Sequence, residues 1–174
     1  MSVLDIGEVK EYLNITENVD AKLQPLIDAA ESAIGRRCGM LEPTTFTDTV
    51  IALNGVVVLP RLPVTSVTSV IPTSGGTGLD VSGLAADGTA GIVYGIPTGS
   101  YVMTYLAGWD PAPDDLLLGA KELVRHLWDT QRGPNKRPGS TSSDGASNTL
   151  PGAAFILPFR VSELIAPYAQ PGLA

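Results

Sequence analysis

Phe46-Thr47-Asp48-Thr49-Val50-Ile51-Ala52-Leu53 and Val56-Val57-Val58-Leu59 are two runs rich in β-branched residues, separated by Asn54-Gly55. An Asn-Gly pair between such runs is the strongest local hairpin signal, because both residues tolerate the positive φ that a two-residue turn requires. Further strands are expected downstream. Val64 to Ile71 reads as one, and Gly75-Gly76-Thr77-Gly78 as a turn. Asp87-Gly88 marks a second hairpin leading into Ile92-Val93-Tyr94, and Tyr101 to Leu106 is a final strand. Residues 43–108 are therefore expected to form a small antiparallel β lobe of five or six short strands.

Outward from this lobe, the periodicity changes to that of helices. Asp5 followed by Glu8 resembles a capping box, with Ile6, Val9, Tyr12 and Leu13 on one face. After a polar break at Asn14 to Asn18, Thr16 or Asp20 can cap a second helix. There Leu23, Leu26, Ile27, Ala30, Ile34 and Cys38 recur at three- and four-residue spacing. Pro25 fits that helix only in or near its first turn, and Gly39 stops it. Beyond the lobe, Asp114 and Asp115 favour a helix N-terminus. The stripe that follows is Leu116, Ala120, Leu123 and Leu127, broadened by Leu117, Val124 and Trp128, and Gly133-Pro134 ends it. Pro158 and Pro167 bracket a short amphipathic helix with Val161, Leu164 and Ile165 on one face. The fold class this predicts is α+β: a mainly helical bundle with an inserted small antiparallel β lobe. The expected single domain spans residues 1–174, as a helix pair (1–40), the β lobe (43–108), a long helix (110–132), an extended Gly/Pro/Ser-rich loop (133–157) and a closing segment (158–174).

Composition removes several classes of function. The chain has 174 residues and a net charge of −7, which disfavours a generic nucleic-acid binder, since phosphate contact needs a basic face. A single cysteine, Cys38, excludes an intrachain disulfide and a Cys-rich zinc site, and its place on an apolar stripe predicts a buried structural thiol. A single histidine, His126, excludes sites that need two. A hydrolase would use His126 as the base beside a serine, but no Gly-x-Ser-x-Gly is present, and His126 lies off the apolar stripe, as a solvated or interface histidine would. The Gly75–Gly78 turn lacks the Lys-Ser/Thr of a phosphate-binding loop. No catalytic, cofactor-binding or metal-ligating residues are assigned, and no cofactor is expected. No window reaches 18 apolar residues, and the start of the chain lacks the basic, apolar pattern of a signal peptide, so no membrane partner is expected. Arg132, Lys136 and Arg137 cluster where the long helix enters the Gly/Pro-rich segment. They read either as a solvated helix end or as a patch facing an acidic partner, a neighbouring subunit or a DNA channel.

The order of segments carries a resemblance. The helix pair holds Glu11-Tyr12-Leu13-Asn14-Ile15 and Leu26-Ile27-Asp28-Ala29-Ala30-Glu31-Ser32-Ala33-Ile34. The β insertion holds Leu62-Pro63-Val64-Thr65-Ser66-Val67-Thr68-Ser69-Val70. Tyr105-Leu106-Ala107-Gly108-Trp109 and two prolines lead into a helix ending Trp128-Asp129-Thr130-Gln131-Arg132-Gly133, and Leu157 to Pro167 closes the pattern. This resembles the head–tail connector (head-completion adaptor) proteins of long-tailed double-stranded DNA phages. The resemblance implies a non-enzymatic virion protein that forms a ring, typically of twelve copies, under the portal protein ring. Such a ring extends the channel for genomic DNA, without sequence-specific binding, and meets a tail-side neck or tail protein. It also implies portal contact through the closing segment, at Phe159, Arg160, Val161, Leu164, Ile165 and Tyr168. On that reading, Asp at both Leu164 and Ile165 leaves the monomer folded and abolishes attachment. Other readings are a different ring protein of the neck or tail (a stopper or tail terminator, opposed by helices at both ends of the chain), a small hydrolase or binding module using the β lobe, and a regulator built on the helix pair.

Overall fold

A computed structural model describes residues 2–132 and 157–170, with the backbone alone at Arg132. Helices α1 (Ile6–Tyr12) and α2 (Asp20–Cys38) precede six strands: β1 (Thr44–Ala52), β2 (Val56–Val58), β3 (Val64–Pro72), β4 (Ala85–Asp87), β5 (Ile92–Tyr94) and β6 (Gly99–Ala107). Helices α3 (Asp114–Arg132) and α4 (Phe159–Ile165) follow, and the chain forms short 3-10 turns at Val81–Gly83 and Ala166–Tyr168. These elements make two compact units, one of Met1–Ile34 with Pro113–Ala169 and one of Gly35–Ala112 with Gln170–Ala174.

In the first unit, Asp5 caps α1 by accepting from Gly7 N at 2.8 Å and Glu8 N at 3.1 Å. Only this half of the expected capping box forms, because the Glu8 carboxylate pairs with Lys121 Nζ at 2.9 Å. Glu31 of α2 ties down the N-terminal segment by accepting from Leu4 N and Ser2 Oγ. The predicted α2 stripe is buried at Leu23, Leu26, Ile27, Ala30, Ile34 and Cys38. Pro25 sits in the second turn rather than the first, where its missing N–H removes one bond from the helix ladder. On α3 the buried seam is Leu116, Ala120, Leu123, Val124 and Trp128. Leu117 and Leu127 are only half-buried, so the seam turns toward Val124 and Trp128.

The second unit corrects the expected fold class. The strands are not a small lobe within a mainly helical bundle. They form two three-stranded antiparallel sheets, ordered β1-β6-β3 and β2-β5-β4, with an apolar core of their own. Three strands are nine residues long, against the five or six short strands expected. The Asn54-Gly55 turn is present, with φ of 52° and 83°, as a two-residue hairpin turn needs. It does not join two strands of one ladder, however. After the single bridge between Leu53 and Val56, the chain passes from the first sheet into the second.

Strand β6 is the centre of the first sheet, pairing with β1 from Thr44↔Ala107 to Ala52↔Gly99 and with β3 on its other side. Its alternate residues Tyr101, Met103, Tyr105 and Ala107 are buried. The Tyr105 hydroxyl donates to Asp48 Oδ2 at 2.6 Å. Arg61 lies 3.8 Å from the same carboxylate and 4.6 Å above the Phe46 ring. The unit closes on the end of α2: Trp109 Nε1 donates to Cys38 O at 2.9 Å, and Gln170 reaches Arg37 O through its backbone and Leu62 O through its side chain.

Burial, and then the bond to the Asp48 carboxylate, raise the Tyr105 pKa well above its ordinary value of 10.0. A phenol whose folded pKa is raised contributes stability that is complete below the unfolded pKa and lost as pH climbs toward the folded one. The expected outcome is stability that falls above about pH 10, with a shallower fall in Tyr105→Phe, which costs about 1 kcal/mol at neutral pH. Chemical denaturation at stepped pH measures both. Equal alkaline slopes in the two proteins would contradict the assignment.

Candidate functional site

The closing segment presents the most exposed large apolar side chain among the described residues, Phe159, at 80%. It opens α4, where Pro158 supplies an extended cap and accepts the Ser162 N–H at 3.0 Å. One face of this helix is anchored inward, with Val161 at 1% and Ile165 at 2% exposure. Gly119 of α3 permits the approach. A Cβ there would lie 3.2 Å from Ile165 Cγ2 and 3.8 Å from Leu164 Cβ, so even alanine would require the Ile165 side chain to give by a few tenths of an ångström. Leu164 and Tyr168 are half-buried.

The polar side of α4 is held by a small network. Arg160 Nη1 lies 3.1 Å from Glu122 Oε1, with the arginine exposed and the glutamate largely covered. Tyr12 is hydrogen-bonded to the same carboxylate, and its pKa is raised, first by burial and then by that bond. Tyr168 makes a long bond, 3.4 Å, from its hydroxyl to Asp115 Oδ2. Its pKa is also raised, by desolvation and then by the Asp115 charge. The structure thus separates the six residues taken together from the sequence. Phe159 and Arg160 face solvent, Val161 and Ile165 anchor the helix, and Leu164 and Tyr168 lie at its edge. Glu122 and Gly119 escaped the sequence reading, and Tyr12 was read there only as part of the apolar face of α1, since none shares a local motif with the segment it holds.

The other expected residues fall elsewhere. Lys136 and Arg137 lie outside the described residues, as does the Arg132 side chain. Cys38 is a fully buried thiol in no disulfide, and burial pushes its pKa up. His126 is half-buried on α3, and its carbonyl accepts from Thr130 Oγ1 at 2.7 Å. An open concavity of about 480 Å³ is lined by Glu8, Glu11, Tyr12 and Lys121, two of which are already paired with each other. Among the described residues, no group of three His, Cys, Asp or Glu side chains could hold a metal ion, and no helix is long and apolar enough to cross a membrane. What α4 offers is an exposed aromatic on a helix whose opposite face is buried.

Residues 2–169 match the sequence model of the head completion protein family. The chain belongs to the head completion protein family. Its fold is shared by a chain in the neck of an empty gene transfer agent (GTA) particle computed with C6 symmetry. That chain has a TM-score of 0.64 and 22% identity, over 98% of this chain and 93% of that one. It is shared as well by a chain in the virion of a native gene transfer agent particle, at TM-score 0.66 and 21% identity over 98% and 93%. A third similar chain, in the neck of a native GTA particle computed with C12 symmetry, has TM-score 0.63 and 19% identity over 97% and 92%. No curated protein sequence matches the chain.

The burial of Ile165 bears on one expectation drawn for this head completion protein. Asp at both Leu164 and Ile165 would bury an unpaired carboxylate in the seat of α4, which argues for a loss of stability as well as of attachment. The double variant is expected to lose about 3–5 kcal/mol of stability, read as a lower denaturation midpoint. An unchanged midpoint would show that α4 is dispensable to the fold.

Proposed function

We propose that this head completion protein is a structural adaptor of a phage-type virion neck, with no catalytic activity and no cofactor. Copies of the chain form a ring, twelve by the family resemblance, under the portal protein ring. The ring prolongs the channel for genomic DNA and offers its far side to a tail-side neck or tail protein. The observation that carries this reading is the family match over residues 2–169. Support also comes from three similar folds, two of them in particle necks computed with C6 and C12 symmetry. A net charge of −7 suits a channel through which DNA slides without sticking.

Within that reading, α4 is the portal-facing element. Phe159 and Arg160 make the contact, with Leu164 and Tyr168 at its rim, while Val161 and Ile165 hold the helix from beneath. An exposed aromatic beside an arginine has the composition of an interface hot spot. Arg132, Lys136 and Arg137 form a second, basic contact toward an acidic partner surface or the neighbouring subunit.

Phe159→Ala removes an exposed ring and should leave the unfolding transition unchanged. Its binding to the cognate portal ring, measured by co-sedimentation or light scattering, should weaken about tenfold or more. Unaltered binding by Phe159→Ala would move the contact off α4. Failure of the unmodified protein to bind the portal ring would overturn the adaptor reading itself.

A further inference from the structure

Directly opposed residues of an antiparallel pair share a face of the sheet. On the face away from the core, Ile71 of β3 opposes Val102 of β6, which opposes Thr49 of β1, and Ile51 follows two residues along. Across the Asn54-Gly55 turn the same face continues. Leu53 bridges Val56, Val56 opposes Tyr94 of β5, and Val58 opposes Ile92. One apolar row therefore runs over both sheets of this unit. It contains five of the seven exposed large hydrophobic side chains among the described residues, with Ile51 at 68%, Val58 at 66% and Leu53 at 62% exposure.

The polar positions beside this row carry hydroxyls rather than charges. Thr47 and Thr104 face each other with their hydroxyls 3.1 Å apart, and Ser69 opposes Thr104 from β3. Among the described strand positions of this face, Asp87 is the single charged side chain, and its Oδ1 is bonded to the backbone N–H groups of Thr89 and Ala90. A sheet face that stays in water usually carries charged residues, which keep it soluble and discourage association. Here a chain with 18 acidic and 11 basic residues places a single one of them, Asp87, at the strand positions of this surface.

Resting on the ring reading above, we infer that this face, centred on Ile51, Leu53, Val58, Ile71 and Tyr94, is the contact between neighbouring copies of this chain. The charge pattern selects that occupant. Two copies, each at −7, repel wherever their acidic surfaces approach, and repulsion is least where a face carries the least charge. Burying such a face desolvates at most one carboxylate, Asp87, already bonded to two backbone N–H groups, so little charge desolvation opposes the apolar gain. A basic partner would be matched by an acidic face instead. In a closed ring each copy contributes two different patches, so this face meets a different surface of the next copy.

The test compares the unmodified chain with Leu53→Lys combined with Tyr94→Lys, two exposed sites, by light scattering over a concentration series. The unmodified chain is expected to gain mass with concentration. The double variant should stay at the mass of one chain with an unchanged unfolding transition. Ile51→Thr combined with Leu53→Thr provides a gentler pair should the lysines perturb folding, and it should weaken association by about tenfold. Association of either folded variant like the unmodified chain, or a one-chain mass for the unmodified protein at every concentration, overturns the inference. Adding the portal ring separates the two claims. Full-copy loading of the folded lysine variant would sink the interface and spare the neck role, whereas no binding by the unmodified chain would sink the neck role.

Discussion

The ladder that β6 makes with β1 and β3 is the constraint on which the strand-bearing unit depends. Nine residues, Gly99–Ala107, satisfy backbone groups on both flanks and turn Tyr101, Met103, Tyr105 and Ala107 into the core. Because side chains alternate along a strand, the same ladder turns Val102, Thr104 and Leu106 to the opposite face. The buried core and the uncharged outer surface are thus two consequences of one register. A slip of one residue would exchange them. The Tyr105–Asp48 bond adds a directional contact that such a slip would break.

The two units present different kinds of surface. In the helical unit, α4 is short and could not hold its shape alone. It is fixed by the burial of Val161 and Ile165 and by the Arg160–Glu122 pair, which leaves Phe159 projecting into solvent. In the strand unit, the exposed apolar row is set out by the pairing of β1, β6, β2 and β5. A projecting aromatic suits insertion into a pocket of a partner, and an extended apolar face with little charge suits repeated contact between like copies. Under the proposed neck role, both surfaces have a common setting, in which one chain meets several neighbours.

Much of this was legible from local signals. Asp5 as a cap, the α2 stripe ending at Cys38, the Asn54-Gly55 turn and the amphipathic α4 all depend on residues within a few positions of one another. The order of the segments led to the family that the match over residues 2–169 then established. What escaped depends on distant partners. Thr44–Ala52 pairs with Gly99–Ala107 across the whole intervening insertion, and no local pattern announces that partner or the nine-residue length of the strands. A helical bundle with a minor lobe was expected for that reason. Glu122 was passed over because its partners Arg160 and Tyr12 lie far away in the chain. Ile165 looked like a surface contact because amphipathicity shows that one face is buried without showing against what.

The most direct measurement of the central claim is the fraction of tail-bearing particles, counted by electron microscopy, in lysates made with and without this protein. The adaptor account predicts DNA-filled heads and free tails that remain separate without it, and joined particles when it is restored. Complete, tailed particles in its absence would contradict the account.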